Sequence, residues 1–145
     1  MSAMSDYLEN KLVDQLFRGQ AAPTTTTLYV ALYTAAPSDP SATGTELTGN
    51  NYSRVSVTSS LANWAGTQAA ASTVASSGTG GQTSNNAAIT FPTPSATWGT
   101  VTHFAIYDAA TTGNELFWGA LTISKTINSG DTVSFPAGSL AITFA

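Results

Sequence analysis

His103 is the single histidine of this 145-residue chain and the side chain best suited to acid–base chemistry. It lies in a strand-like run, on the face opposite Phe104 and Ile106. Hydrolysis would require His103 to meet Asp108 or Asp131 and a serine in space. No Gly-x-Ser-x-Gly segment accompanies it. We therefore expect a hydrogen-bonded structural histidine, and a hydrolase is the weakest functional interpretation.

Eight carboxylates are the remaining candidates for acid–base or metal chemistry. They are Asp6, Glu9, Asp14, Asp39, Glu46, Asp108, Glu115 and Asp131. The first three suit capping and solvation of a helix, and the others fall at predicted loops or strand ends. A glycosidase pair needs two carboxylates that meet in space, and this spacing indicates none. Because the chain also lacks cysteine, calcium-loop spacing and a phosphate-binding glycine loop, we predict no catalytic residue, no metal and no cofactor.

Charge is scarce throughout the chain. Charged residues make up 8% of the sequence, against about 25% in ordinary domains, and the net charge is −4. A basic stripe that neutralises phosphates cannot form, which excludes nucleic acid as a partner and disfavours an anionic membrane surface. No apolar run reaches the roughly 18 residues that span a bilayer. Hydroxyl and amide groups must therefore supply the polar surface.

Aromatic side chains are plentiful by comparison, at 10% of the sequence. A sugar-stacking platform would use Trp64, Trp98, Trp118, Tyr29, Tyr33, Tyr52 and Tyr107. We favour core and interface positions for them, because interface centres are poor in charge and rich in aromatics. Low charge together with many aromatics is typical of a lattice or fibre subunit.

The first segment predicts an amphipathic helix over residues 5–18. Asp6 with Glu9 fits a capping box, Ser5 is an alternative N-cap, and Gly19 is a ready C-terminal stop. The apolar stripe consists of Leu8, Leu12 and Leu16, widened by Val13 and Phe17. So short a helix must dock its stripe on something, and we expect residues 1–19 to form a docking arm.

Beyond Pro23 the apolar periodicity changes to two, which predicts β-structure. The predicted strands are Leu28–Thr34, Tyr52–Thr58, Thr100–Asp108, Glu115–Ile123, Asp131–Phe135 and Ser139–Phe144, with weaker extended segments near 67–75 and 86–91. About eight short strands without a second helix predict an all-β, antiparallel β-sandwich of jelly-roll type. Residues 20–145 would form this domain.

Several stretches resemble a family of small tailed-bacteriophage virion proteins that are often called phage tail fibre proteins. The similar stretches are Tyr7–Asp14, Leu28–Asp39, Gly44–Gly49 through Val55, Ser60–Gln68, Thr83–Pro92 and Trp98–Ala109. The resemblance implies a non-enzymatic virion protein, made in the bacterial host cytoplasm, without catalytic or ligand-binding residues.

A compact sandwich with one terminal helix is typical of a capsid decoration, or cement, protein, and this is the leading hypothesis. Such a protein would form a homo-oligomer, a dimer or trimer, and would bridge capsid subunits through contacts with the major capsid protein or other virion proteins. Leu8, Leu12, Leu16 and Phe17 are the predicted interface residues. The alternatives are a tail fibre, baseplate or adaptor component, and a carbohydrate-binding jelly roll for host attachment.

Overall fold

The computed structural model describes residues 2–37 and 44–144, which contain one α-helix and ten β-strands. In chain order these are β1 (Ser2–Met4), α1 (Asp6–Arg18), β2 (Thr27–Ala35), β3 (Thr45–Glu46), β4 (Val55–Thr58), β5 (Gln82–Ser84), β6 (Ile89–Thr90), β7 (Gly99–Tyr107), β8 (Glu115–Ile127), β9 (Ser134–Phe135) and β10 (Ala141–Thr143). Within these ranges no helix is long and apolar enough to cross a membrane.

Helix α1 begins after Ser5, the alternative N-cap, rather than at an Asp6 capping box, and it ends at the predicted Gly19. Ser5 is the N-cap, and its Oγ accepts a hydrogen bond from the backbone N–H of Leu8 at 3.3 Å. Gly19 follows with a φ of 67°, a left-handed conformation that glycine adopts without steric cost. The helix prediction over residues 5–18 is therefore confirmed to within one residue.

Six antiparallel strands form the main sheet, in the order β1–β8–β7–β2–β3, with β4 also paired to β2. Strands β2 and β7 lie at its centre, where Val30 pairs with Ile106 and Leu32 with Phe104. Because side chains alternate along a strand, these four point to one face, and all four belong to the main hydrophobic core. We call this the inner face.

Two short antiparallel ladders, β5–β10 and β6–β9, pack against the inner face. Ile142 of β10 and Ile89 of β6 join the same core as Val30 and Leu32. The main sheet and the ladders thus enclose one hydrophobic core, which confirms the predicted all-β antiparallel sandwich.

The strand map differs from the prediction at short or polar segments. The extended segment predicted near 67–75 forms turns, and Val74 there is 61% exposed, so no apolar face was available to pack. Strands β1, β3 and β5 were not predicted, because two or three residues are too few to display a period of two.

The strand before the helix is part of the main sheet. Ser2, Ala3 and Met4 pair with Gly119, Trp118 and Phe117 of β8. The division of the chain into a docking arm, residues 1–19, and a sandwich domain, residues 20–145, stays a prediction.

Candidate functional site

A cluster of charged and phenolic side chains is centred on Arg54, between β3 and β4. Its guanidinium makes a two-point ion pair with Glu46, in which Nε–Oε1 and Nη2–Oε2 are both 2.8 Å. Nη1 donates to the backbone oxygens of Ala109 and Thr112 at 2.9 and 2.8 Å. The Arg54 side chain is only 8% exposed. Arg54 therefore ties the start of β4 to β3 and to the turn before β8.

Two buried tyrosines on the outer face of the main sheet extend this cluster. The guanidinium carbon of Arg54 lies 3.5 Å from the ring centroid of Tyr107, a cation–π contact. The Tyr107 hydroxyl donates to Oε2 of Glu115 at 3.0 Å and lies 2.5 Å from the Tyr33 hydroxyl, which therefore donates to it. We call Arg54, Glu46, Tyr33, Tyr107 and Glu115 the Arg54 cluster.

Burial governs the titration of the cluster. Desolvation, aided by the negative charges of Glu46 and Glu115, raises the pKa of Tyr33 from 10.0 to about 12. Desolvation also raises the pKa of Tyr107, and its contacts with Tyr33 and Glu115 act in the same direction. Burial alone would lower the pKa of Arg54, but the hydrogen bonds and charge of Glu46 produce a net rise. The tyrosines stay protonated and the arginine charged at neutral pH, which suits a structural tether rather than a nucleophile.

Tyr52 joins the cluster to the core at a gap between β3 and β4. Its hydroxyl accepts a hydrogen bond from the backbone N–H of Leu32 at 3.0 Å and donates to Oε1 of Glu46 at 3.0 Å. Its ring packs edge-on against Trp98 on the core side, with centroids 5.4 Å apart. Tyr52 thus substitutes for a strand neighbour where the pairing of β2 passes from β4 to β3.

The free energy of unfolding is expected to fall as the pH rises from 10 to 12. Unfolding returns the pKa of Tyr33 from about 12 to 10.0, so the folded state binds more protons in this interval. The stabilisation is therefore complete below pH 10 and is lost as the pH passes 12. Urea denaturation across this interval measures the slope. Tyr33→Phe should make it shallower, and the raised pKa of Tyr107 should preserve part of it. A denaturation midpoint that stays constant through pH 12 would show that folding does not raise the pKa of these tyrosines.

Asp108 and Asp131, the proposed catalytic partners of His103, make hydrogen bonds within turns of the chain instead. Nδ1 of His103 lies 2.7 Å from Oγ1 of Thr102, its neighbour in β7. Asp108 and Asp131 accept backbone N–H groups at 2.7 and 2.8 Å and so close turns. Asp108 also lies five residues further along the chain, about 16 Å at strand spacing. This geometry fits the hydrogen-bonded structural histidine that the sequence predicts.

The Arg54 cluster contains two of the other carboxylates. Glu46 and Glu115 both belong to it, where Arg54 and Tyr107 occupy their oxygens. Asp14 forms an exposed ion pair with Arg18 at 2.9 Å. Asp39 lies outside the described residues. Across residues 2–37 and 44–144, no three acidic or histidine side chains gather as a metal site requires.

The aromatic residues lie on both faces of the main sheet. Tyr52, Trp64 and Trp98 contribute to the inner core, where the buried Trp98 donates its indole N–H to Asn50 O at 2.9 Å. The outer face carries the other four: Tyr29, Tyr33, Tyr107 and Trp118. The fold therefore does not bring the seven residues of the predicted sugar platform together.

The apolar stripe of α1 is covered by the domain near the start of the helix and exposed near its end. Leu8 packs against the core and Leu12 is half-buried. Further along the helix, the exposed fractions are 51% for Val13, 72% for Leu16 and 82% for Phe17. These three residues follow i, i+3, i+4 spacing and so form one continuous surface. We call them the helix patch.

The start of α1 is fixed to the sheet, so the helix patch belongs to a helix whose first turn is anchored. The backbone N–H of Ser5 donates to Leu116 O at 3.0 Å, and its Oγ donates to Glu115 O. The segment preceding the helix, Ser2–Met4, is paired to β8 as β1. The patch therefore projects from an element held at its base.

A cavity of about 900 Å³ opens between β8 and the segment from Asp131 to Thr143. Strand β8 bulges here, since Val101 pairs with Lys125 while His103 pairs with Ala120. Ile123 lies in this bulge and is 80% exposed. We call the cavity the β8 groove. A second, smaller cavity of about 440 Å³ is lined by Leu61, Trp64 and Phe144, among others.

One comparison decides the family of this chain. A family model described as podophage GP4 fiber I protein gp80 matches residues 3–143. The chain belongs to this family. Membership in the gp80 family makes the protein a structural component of a phage virion that contacts other virion proteins. A search among characterised proteins finds no match.

Sequence reasoning about this gp80-family chain missed the Arg54 cluster and the β8 groove. Arg54 and Glu46 are two of only twelve charged residues, and their rarity was the one available signal. The tyrosines that complete the cluster come from strands 74 positions apart, which no local pattern reveals. The groove depends on the bulge in β8, and the alternation of residues there gives no sign of it.

Proposed function

We propose that this chain is a non-enzymatic subunit of a podophage tail-fibre assembly and that the helix patch holds it to a neighbour. The family description names a fibre protein, which favours the tail component over the capsid decoration protein. The observation that carries the proposal is the exposure of Leu16 and Phe17 on a helix fixed at its base.

Burial supplies the driving force for this contact. Covering a fully exposed leucine or phenylalanine stabilises by about 1.5–3 kcal/mol for each side chain. Because Ser5 and β1 hold the helix in place beforehand, little conformational freedom is lost when the patch is covered. Of the four predicted interface residues, Leu16 and Phe17 are the two most open to a partner. Leu8 already packs against the core, and Leu12 is half-buried.

The partners proposed on this basis are further copies of the chain, as a dimer or trimer, and adjoining proteins of the fibre assembly. The low charge of the chain supports such contacts, because few charges must be desolvated when its surfaces meet. The major capsid protein is the partner under the capsid decoration hypothesis.

Copy number per virion separates the two locations. Fibre assemblies follow the low rotational symmetry of a tail, whereas a decoration protein repeats over the whole shell. Quantitative mass spectrometry of purified virions, calibrated on the major capsid protein, is expected to give a few dozen copies or fewer. A count comparable with that of the capsid protein would favour capsid decoration.

A further inference from the structure

We propose that the helix patch of one copy docks in the β8 groove of a second copy, which links subunits head to tail. This inference deepens the proposed function, and it rests on the role given there to the helix patch. The occupant of the groove is thus a defined segment of the same chain, α1 of a neighbour.

The groove has an apolar floor and a polar rim. Val101, Phe104, Ile127 and Leu140 lie at its base, and each is at least nine-tenths buried. Hydroxyl side chains and the two charges of Lys125 and Asp131 line its opening. Recognition sites commonly combine these two parts, an apolar base that supplies affinity and a polar rim that orients the occupant.

The size of the groove suits a helix face. Its volume of about 900 Å³ lies in the upper part of the range for recognition pockets, about 300–1,000 Å³. The helix patch presents three adjoining apolar side chains on one side of the helix. No residue of α1 lines the groove of its own chain. Helix α1 starts beside Glu115 and Leu116, at the opposite end of β8 from residues 121–127.

Charges on the two surfaces are complementary. Asp14 and Arg18 flank the helix patch, while Asp131 and Lys125 line the groove. The chain has only four cations, and Arg54 is engaged in its cluster while Lys11 lies 5.8 Å from the Tyr7 ring centroid. Arg18, paired with Asp14 at 2.9 Å, lies on the helix surface, and Lys125 lies on the groove surface. Each surface thus carries one cation and one acid, which can exchange partners across the contact.

The contact also covers four of the large apolar side chains that are exposed in the described chain. Seven large apolar side chains are exposed there, and the contact would cover Val13, Leu16, Phe17 and Ile123. The patch and the groove are different surfaces, so the contact is heterologous, and repeating it gives a ring or a filament. Two-fold dimers formed patch to patch are the competing arrangement.

The second cavity is the competing receptor within the chain. It is lined by apolar residues that include Leu61 and Phe144, both exposed. None of its lining residues is charged, so it offers no counterpart to Asp14 and Arg18. The charge pattern therefore favours the β8 groove.

Disulfide trapping tests this contact cleanly, because the natural chain contains no cysteine. Full-length Leu16→Cys and Ile123→Cys proteins are mixed in equal amounts and oxidised. Both positions are largely exposed, at 72% and 80%, so the substitutions leave the core intact. Leu16→Cys is also mixed with Leu61→Cys, which probes the second cavity, and with Thr111→Cys in an exposed turn outside both cavities.

The mixed Leu16→Cys/Ile123→Cys dimer is expected to exceed either symmetric dimer at least about tenfold, the ratio that corresponds to about 1.4 kcal/mol. Lys125→Glu in the groove should reduce its yield, and Asp14→Lys in the helix-bearing copy should restore it. Symmetric Leu16→Cys dimers, preferential trapping with Leu61→Cys, or yields no higher than with Thr111→Cys would each overturn the proposal.

These outcomes differ from a failure of the proposed function. If trapping fails while copy number still places the protein in the tail, the helix patch contacts another virion protein and the fibre assignment stands. If trapping succeeds while the copy number matches that of the capsid protein, the head-to-tail contact stands and the tail location is wrong.

Discussion

Replacing Arg54 with methionine is expected to lower the free energy of unfolding by about 3–5 kcal/mol. The substitution leaves the carboxylate of Glu46 without its two-point partner and leaves the carbonyl oxygens of Ala109 and Thr112 without donors. The Arg54 side chain is 8% exposed, so water cannot fully replace these contacts. Urea denaturation at neutral pH, analysed as a two-state transition, measures the loss.

Arg18→Met is the matched control for this experiment. Arg18 forms an ion pair of similar length, 2.9 Å, but its side chain is 71% exposed. Its removal should therefore cost no more than about 0.5 kcal/mol. The double variant Arg54→Met/Glu46→Gln should be more stable than the sum of the single effects predicts, because it leaves no unpaired carboxylate. If Arg54→Met and Arg18→Met are equally mild, the cluster is not a tether.

Converting the helix patch to glutamines should prevent assembly without unfolding the protein. In Leu16→Gln/Phe17→Gln both changed side chains are largely exposed and glutamine is a good helix former, so stability should change by less than about 0.5 kcal/mol. Loss of two buried apolar side chains from the contact weakens it roughly hundredfold or more. The measurement is incorporation of the variant into virions during infection by a phage that lacks the natural gene.

Two controls isolate the effect of the patch. Val74→Gln changes an exposed apolar residue, 61% exposed, in a turn segment outside both cavities, and it should incorporate normally. Leu8→Ala removes a core contact of the same helix and should lower stability instead. Normal incorporation of Leu16→Gln/Phe17→Gln would show that the helix patch does not hold the protein in the virion.

The elements predicted correctly are those whose sequences carry a local signal. The caps Ser5 and Gly19 and the four-residue spacing of leucines define α1, and strict alternation defines β2 and β7. Periodicity identifies the apolar side of α1. It does not reveal how far along the helix the sheet covers that side, and for this reason the different environments of Leu8 and Leu16 emerge only from the fold.

The Arg54 cluster and the β8 groove were beyond prediction for a different reason. Tyr33 and Tyr107 are 74 residues apart, and each alone looks like an ordinary strand aromatic. Glu46 is placed by β3, a strand of two residues that leaves no recognisable pattern. The groove arises where β8 gains extra residues opposite Thr102, and a bulge of this kind shifts the register without changing composition.

The position of the protein on the virion tests the central claim most directly. Virions that carry an epitope tag in the exposed loop around Gly78, away from the Arg54 cluster and the helix patch, are labelled with gold and imaged by electron microscopy. Gold is expected at the tail of virions whose protein has the natural helix patch, and no gold is expected on virions made with Leu16→Gln/Phe17→Gln. Gold spread over the capsid shell, or tail labelling that persists in the variant, would contradict the claim.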